Sequence, residues 1–212
     1  MQHRKLMKLK QKSGFEAGLK ASLARRRFQH RFPLRSSAAL RIFAPMLTAE
    51  EVRKLLKLEP LAHEGGIYAE TYRSTHTLPK EVLSKCTAGD RSLSTAIYYM
   101  LTPDTFSAMH RLKGDEVYHF YLGDPVEMLQ LKPDGTAEAI LLGQNIGGGM
   151  RLQQVVRGGT WQGSRLAPGG KFALLGTTMS PGFDPADFEL GNRDQLSTAY
   201  PMYSPLIAML TR

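Results

Sequence analysis

The residues best suited to chemistry in this chain are a histidine and a glutamate that flank a short polar turn. His110 lies near the end of one apolar run, Glu116 begins the next, and Lys113-Gly114-Asp115 separates them. This pattern predicts a β-hairpin that brings an imidazole close to a carboxylate. Such a pair suits a metal site or proton transfer, so the segment predicts a functional pocket.

The sequence around this segment has the pattern of an all-β domain. Short runs of alternating polarity are separated by turn clusters such as Pro133-Asp-Gly135. This spacing argues for a sandwich or barrel rather than for alternating βαβ units. The strands are predicted at residues 67–73, 94–101, 107–112, 116–121, 126–131, 137–142, 153–156, 161–166 and 171–179.

Short helices are predicted at both ends of this β region. Thr48 and Glu51 have the spacing of a capping box, and the apolar residues that follow predict an amphipathic helix over residues 49–57. Residues 194–212 are predicted to form one or two helices, broken at Pro201 and Pro205.

Size and composition are those of an ordinary folded domain. The chain has 212 residues, of which 42% are hydrophobic and 22% are charged. No apolar run approaches the length of about 20 residues that crosses a bilayer, so no membrane partner is expected. The single cysteine, Cys86, excludes an internal disulfide and is interpreted as an incidental small residue.

The net charge of +9 is concentrated at the N-terminus. Residues 1–49 hold 12 of the 28 Lys and Arg residues but one acid, Glu16. Residues 1–48 are therefore interpreted as a basic extension that is disordered by composition, and residues 49–212 as the folded domain. The extension resembles a transit peptide, which predicts a mitochondrial or plastid location. The alternatives are a disordered extension on a cytoplasmic protein, or contact with nucleic acid or anionic lipid. Since no nucleic-acid-binding module accompanies the charge, no nucleic-acid partner is expected.

The spacing around the histidine resembles the first motif of the cupin superfamily, G-x5-H-x-H-x3,4-E-x6-G. His110, Glu116 and Gly123 match, whereas Leu112 stands at the second histidine position and Asp104 at the leading glycine. The second cupin motif, G-x5-P-x-G-x2-H-x3-N, can be placed over residues 157–166. There Gly159 matches, and Arg157, Gln162 and Leu166 replace the proline, the histidine and the asparagine.

A wider set of segments resembles the small cupin family catalogued as a domain of unknown function. They include Glu64-Gly-Gly-Ile-Tyr-Ala-Glu-Thr-Tyr-Arg-Ser74, His119-Phe-Tyr-x-Gly-Asp-Pro125 and Pro181-Gly-Phe-x-x-x-Asp-Phe-Glu-Leu190. The resemblance runs from about residue 50 to 205. It implies an all-β double-stranded β-helix, that is, a cupin jelly-roll barrel, which usually pairs as a homodimer. One departure is that the family's His-x-Glu-Gly-Gly places its histidine at Ala62 here, and His63 does not inherit that role.

The resemblance also bears on metal binding. Cupin sites with three histidines and a glutamate bind Fe, Mn, Ni or Zn. In this chain His110, Glu116 and Gln162 remain as the metal ligands if a divalent metal is bound, and no cofactor is expected. His119 is a further candidate ligand-binding residue, but strict alternation places it on the opposite sheet face from Glu116 unless a bulge intervenes.

Without a metal, His110 and Glu116 are the candidate catalytic acid–base pair; the alternative is a buried polar pair that fixes the turn. The alternation in the first strand does not determine which of its residues face the barrel. Arg73 and Arg91 are interpreted as ion-pair partners. The candidate ligand-binding residues of the barrel pocket are Gln162, His119, Glu64, Glu70, Tyr98 and Trp161.

Three functions remain open on the sequence. Resemblance to cupins that epimerise sugars suggests an isomerase or epimerase acting on a sugar or nucleotide sugar. The second is a non-catalytic cupin that binds a small polar molecule in the barrel. The third is a metal-dependent dioxygenase, which the missing histidines disfavour.

Overall fold

The computed structural model describes residues 47–83 and 89–212. Most of the basic extension at residues 1–48, and Cys86, lie outside the described residues. The transit-peptide interpretation therefore stays a prediction. The homodimer also stays a prediction, since the structure holds one chain. Within the described ranges, no helix combines the length and the apolar character that spanning a bilayer requires.

The domain is built from antiparallel strands, with short helices before and after them. The α-helices are α1 (Ala49–Leu56), α2 (Arg193–Ala199) and α3 (Ser204–Met209). The strands are β1 (Glu59–Pro60), β2 (Ile67–Arg73), β3 (Thr77–Leu78), β4 (Arg91–Ser92), β5 (Thr95–Leu101), β6 (Phe106–Leu112), β7 (Glu116–Gly123), β8 (Val126–Leu131), β9 (Ala137–Leu142), β10 (Gln153–Val156), β11 (Trp161–Leu166), β12 (Ala173–Met179) and β13 (Phe188–Leu190). Short 3₁₀ turns occupy Lys80–Val82, Ile146–Gly148, Pro185–Asp187 and Pro201–Tyr203.

Two sheets enclose the barrel interior. The first has six strands in the order β1-β2-β5-β12-β7-β10, and the second has five in the order β13-β6-β11-β8-β9. Strands β3 and β4 form a separate pair. Apolar side chains of both sheets meet in one core that includes Tyr118, Met128, Val156 and Leu175. The double-stranded β-helix expected from the sequence is confirmed.

The terminal helices each cover one outer sheet face. Helix α1 packs Val52 against Met100 and Leu174 of the six-stranded sheet. The C-terminal helices place Leu196 and Ile207, among others, on the five-stranded sheet.

Both predicted helical regions exist, with one difference. Thr48 and Glu51 form the expected reciprocal capping box. Pro201 begins a 3₁₀ turn as a helix-breaking residue can, whereas Pro205 lies in the first turn of α3. A proline there starts a helix instead of breaking it, because the amide it lacks has no intrahelical partner at that position.

The predicted hairpin between His110 and Glu116 is wrong. Strand β6 belongs to the five-stranded sheet and β7 to the six-stranded sheet, so the turn at residues 113–115 is a corner between sheets. Contacts with a second corner hold it: the Gly158 amide donates to Asp115 Oδ1 at 2.8 Å, and Arg157 donates to Asp115 Oδ2 at 2.6 Å. A local run of strand, turn and strand has the same pattern whether the strands pair together or continue into facing sheets.

Candidate functional site

A cavity of about 670 Å³ opens at one end of the barrel. Its wall comes mainly from the six-stranded sheet, the loop before β2 and residues 183–190. The polar lining residues are His63, Glu64, Tyr68, Glu70, Arg73, Thr95, Glu116 and Thr177. The apolar ones are Leu61, Ile97, Leu112, Met179, Phe183, Pro185, Phe188 and Leu190. This volume is in the range of about 300–1,000 Å³ that small-molecule sites occupy.

Glu116 is the most deeply buried acid that reaches this cavity surface. It begins β7 and is 7% exposed, and Gln162 Nε2 donates to its Oε2 at 2.6 Å. Burial raises the pKa of Glu116, and the nearby carboxylate of Glu64 raises it further. A positive charge on His110 and hydrogen bonds from Gln162 and Thr177 oppose this shift without cancelling it. The sequence therefore located a carboxyl in this cavity whose pKa its surroundings raise.

His110 lies behind the cavity wall. Its side chain is 1% exposed, Nδ1 donates to the Ala108 carbonyl at 2.8 Å, and the ring stacks on Phe188 with centroids 5.1 Å apart. Since Nδ1 carries the proton of that bond, Nε2 is the atom left to interact with the site. It lies 3.9 Å from Glu64 Oε2, which is too long for a hydrogen bond. His110 thus acts on the cavity electrostatically and by supporting Phe188, rather than as part of its surface.

Glu64 enters the site because two glycines let its loop approach the barrel closely. Gly65 and Gly66 have φ of +101° and +71°, and a side chain on either would collide with the Phe106 carbonyl or the Tyr99 ring. Ser107 Oγ donates to Glu64 Oε1 at 2.7 Å, which fixes the carboxylate. The Glu-Gly-Gly triplet was the sequence signal for this placement.

Glu70 and Arg73 both line the cavity because of a bulge in β2. The register between β2 and β5 shifts between Glu70 and Tyr72, so simple alternation fails there. Arg73 donates from Nε and Nη2 to the two Glu70 oxygens at 3.0 and 2.7 Å, and from Nη1 to the Phe183 carbonyl at 3.1 Å. The ion-pair interpretation of Arg73 is confirmed, and the bulge explains why the facing side could not be deduced.

A family model described as "Cupin superfamily (DUF985)" matches residues 50–191, about two thirds of the chain. This protein is a cupin. Two solved structures are similar to it over nearly their whole length. A hypothetical protein from Leishmania major has 32% identity and a TM-score of 0.69, covering 78% of this chain and 99% of that one. A Shewanella oneidensis protein has 32% identity and a TM-score of 0.68, covering 79% and 99%.

A curated relative adds no activity to this family assignment. An uncharacterized protein of Saccharomyces cerevisiae is 31% identical over 129 residues, which cover 57% of this chain. The match spans 64% of the yeast protein, less than two thirds of its length. The comparisons therefore establish the family and the fold of this cupin, and the chemistry has to be argued from its site.

Three residues that were predicted to bind ligand, His119, Tyr98 and Trp161, lie away from the cavity of this cupin. His119 is on the other face of β7, as alternation predicted, where Nε2 lies 3.2 Å from Thr178 Oγ1 and Nδ1 lies 3.1 Å from Gln153 Nε2. Tyr98 packs edge-on against Tyr121 on the outer face of the six-stranded sheet. The fold separates these side chains from Glu116 because successive strand residues alternate between faces.

Trp161 and Gln162 show the same alternation on β11. Trp161 lies in a surface groove with the Arg111 guanidinium 4.5 Å above its ring. Gln162 points the other way, is 1% exposed, and is the cross-strand neighbour of His110. Its Oε1 is buried and has no hydrogen-bond donor among the described residues. Gln162 therefore supports the cavity floor, and Trp161 does not contribute to it.

The donor set does not fit the metal that many cupins bind. Leu112 occupies a histidine position, and Gln162 points an amide donor, not an oxygen, at Glu116. Across residues 47–83 and 89–212, no group of three or more His, Cys, Asp and Glu side chains is arranged to hold a metal ion. The chemistry of this site is therefore derived from its protein groups.

Proposed function

We propose that this cupin binds a small polar molecule in its barrel cavity and moves a proton on it, as an isomerase or epimerase of carbohydrate-type substrates. The observation that carries the proposal is Glu116, a buried carboxyl with a raised pKa at the surface of the barrel cavity. Enzymes raise the pKa of a glutamate in this way to use it as an acid–base catalyst near neutral pH.

The proposed reaction class follows from the carboxyl groups at the cavity surface. In an isomerisation or epimerisation a base removes the proton from a carbon next to a carbonyl, and the electron pair of that C–H bond moves into an enediolate. A proton is then returned to carbon, so no external oxidant or reductant is needed. Glu116 is the proposed base, and Glu64 is a second carboxyl at the same surface. His110 is a positioning residue that acts through Glu64 and Phe188.

Solvent-hydrogen exchange into substrate carbon tests this proposal. Wild-type protein is incubated in D₂O with a panel of aldoses and ketoses, and deuterium at the carbon next to the carbonyl is followed by NMR. We expect exchange with at least one sugar, and a loss of about 100-fold or more in Glu116→Gln, because the amide cannot accept the proton. Glu138→Gln is the matched control, since Glu138 pairs with Arg151 outside this cavity. Wild-type exchange rates in Glu116→Gln would overturn the assignment of the base.

A non-catalytic ligand-binding role is the second candidate. It is favoured by the fact that His110 is sealed behind the wall and that Glu116 already accepts a hydrogen bond from Gln162. Under this alternative a sugar raises the melting temperature of the protein but acquires no deuterium. The two measurements on one sample therefore separate the two functions.

A further inference from the structure

The charge of the cavity bears on which small molecules enter it. Three carboxylates line it, Glu64, Glu70 and Glu116, against two basic side chains, Arg73 and His63. All three guanidinium nitrogens of Arg73 already donate to Glu70 or to the Phe183 carbonyl. The arginine therefore cancels one carboxylate and does not offer an open fork to an incoming anion.

The basic side chains on the neighbouring elements are also paired. Arg91 donates to Asp187 at 2.7 and 2.9 Å, and Lys113 Nζ lies 3.5 Å from the same carboxylate. Asp184 lies within 3.9 Å of Arg91 and adds a further negative charge near Arg73. Two carboxylates, Glu64 and Glu116, are thus left without a close cationic partner on the cavity side.

The carboxylate of Glu64 has an unused hydrogen-bond acceptor at the cavity surface. Glu64 Oε2 lies 3.9 Å from His110 Nε2, which is too far for a hydrogen bond. Gln162, bonded to Glu116 through Nε2, is 1% exposed and lies behind the cavity surface, so its amide holds Glu116 in place and does not contact a ligand. A partly buried carboxylate oxygen without a donor costs free energy, so Glu64 Oε2 favours a bound molecule that brings N–H or O–H groups.

The rest of the cavity lining is largely aromatic and apolar. Phe183, Phe188 and Tyr68 line the cavity together with aliphatic side chains. A phosphate or carboxylate placed there would lose its hydration beside two carboxylates, whereas an ammonium group is attracted both by carboxylates and by aromatic ring faces. Charge, hydrogen bonding and the aromatic wall favour the same class of ligand.

We infer that the cavity is selective for molecules that carry a protonated amine and no phosphate or carboxylate, which within the proposed function means amino sugars rather than sugar phosphates or nucleotide sugars. The carbohydrate part of this inference rests on the proposed function. The preference for a cation rests on the cavity alone.

Matched ligand series test the inference. Calorimetric titration compares glucose, galactose and mannose with their 2-amino and 6-phosphate derivatives at low salt. A second series compares cyclohexylamine, cyclohexanol and cyclohexanecarboxylate. We expect every amine that binds to have an affinity about tenfold or more above that of the matching sugar or alcohol. We expect the phosphates and the carboxylate to show no binding. In Glu64→Gln the preference for amine over alcohol should fall severalfold, with Glu138→Gln as the control.

The outcomes distinguish this inference from the proposed function. Selective binding of cyclohexylamine without deuterium exchange into any sugar supports the cation preference and rejects the isomerase. Exchange into neutral sugars, together with sugar phosphates that bind as tightly as the amines, supports the isomerase and overturns the preference. Absence of binding in both series also overturns it. If Glu64→Gln does not fold, the affinity of wild-type protein for cyclohexylamine is measured against salt concentration, and a salt-independent affinity counts against the inference.

Discussion

Two buried charged clusters of this cupin lie near each other and are organised in opposite ways. In one, Asp187 accepts two hydrogen bonds from Arg91, and Lys113 approaches from the side. In the other, Glu64 and Glu116 are both acids, and Gln162 has an unpaired oxygen. The pKa of Asp187 is lowered, chiefly by its hydrogen bonds with Arg91, whereas burial raises the pKa of Glu116.

The difference indicates what each cluster is for. A buried charge with a matched partner stabilises a unique packing, here of β4 against the 3₁₀ turn at Pro185–Asp187. A buried charge with a like-charged neighbour stores unfavourable free energy that a ligand can relieve. The second kind of cluster is the more informative guide to function.

The largest expected change in stability follows from breaking the pair of Arg91 and Asp187. Asp187→Ala leaves the Arg91 guanidinium, which is 4% exposed, without its carboxylate. We expect the free energy of unfolding in urea to fall by about 3–5 kcal/mol. A decrease of less than about 1 kcal/mol would mean that Arg91 reaches solvent in the variant. The two clusters would then differ in geometry but not in their contribution to stability.

The next effect has the opposite sign. Glu116→Gln removes a buried acid whose charged form is disfavoured, while its side-chain oxygen can still accept from Gln162. At pH 8 the variant should be at least as stable as the wild type, with a gain on the order of 1 kcal/mol, even as deuterium exchange is lost. Urea unfolding and the exchange assay on the same preparation check this. If the variant is clearly less stable than the wild type, the charge of Glu116 stabilises the fold and the prediction is wrong.

The pH dependence of stability should also differ in sign. Glu116 has a higher pKa in the folded than in the unfolded protein, so its contribution to stability is lost as pH rises above about 4 and through the folded pKa. Asp187 has a lower folded pKa, so its contribution is present above about pH 4 and is lost as pH falls below it. Unfolding free energies of wild type, Glu116→Gln and Asp187→Asn between pH 3 and 8 measure both slopes. Parallel curves for the two variants would contradict the comparison.

The smallest effect concerns an ion pair at the surface. Arg111 and Glu189 lie 2.7 Å apart, but their side chains are 41% and 55% exposed. Glu189→Gln should change the free energy of unfolding by less than about 1 kcal/mol, because solvent and salt screen the pair. It is the matched control for Asp187→Ala, and a cost as large as that variant's would remove the distinction between buried and exposed pairs.

Much of the fold followed from local pattern. Strands β2, β8, β9, β10 and β11 have the predicted bounds, and β5 and β12 differ by one or two residues at their starts. The hairpin was wrong because strand pairing is a long-range property that a turn sequence does not encode. The orientation of Glu70 and Arg73 could not be deduced because a bulge in β2 breaks the alternation.

The candidate site was predicted in part. Glu116 and Glu64 line the cavity, and Gln162 supports it from behind, whereas Tyr98, His119 and Trp161 face outward. Residue type and spacing identified which side chains could do chemistry. The choice among them depended on which sheet face each occupies, and the aromatic wall from Phe183 and Phe188 had no signal in the motif.

The sequence by itself determined the family, the strand pattern and the two carboxylates at its centre, because spacing and polarity are local properties of the chain. The tertiary structure alone decided that β6 and β7 belong to different sheets, and that His110 lies behind the cavity wall. It also decided that Glu64, not His110, shares the cavity with Glu116. Burial, charge and unpaired acceptors arise only when distant segments meet, and at this site those quantities decide which chemistry is favoured.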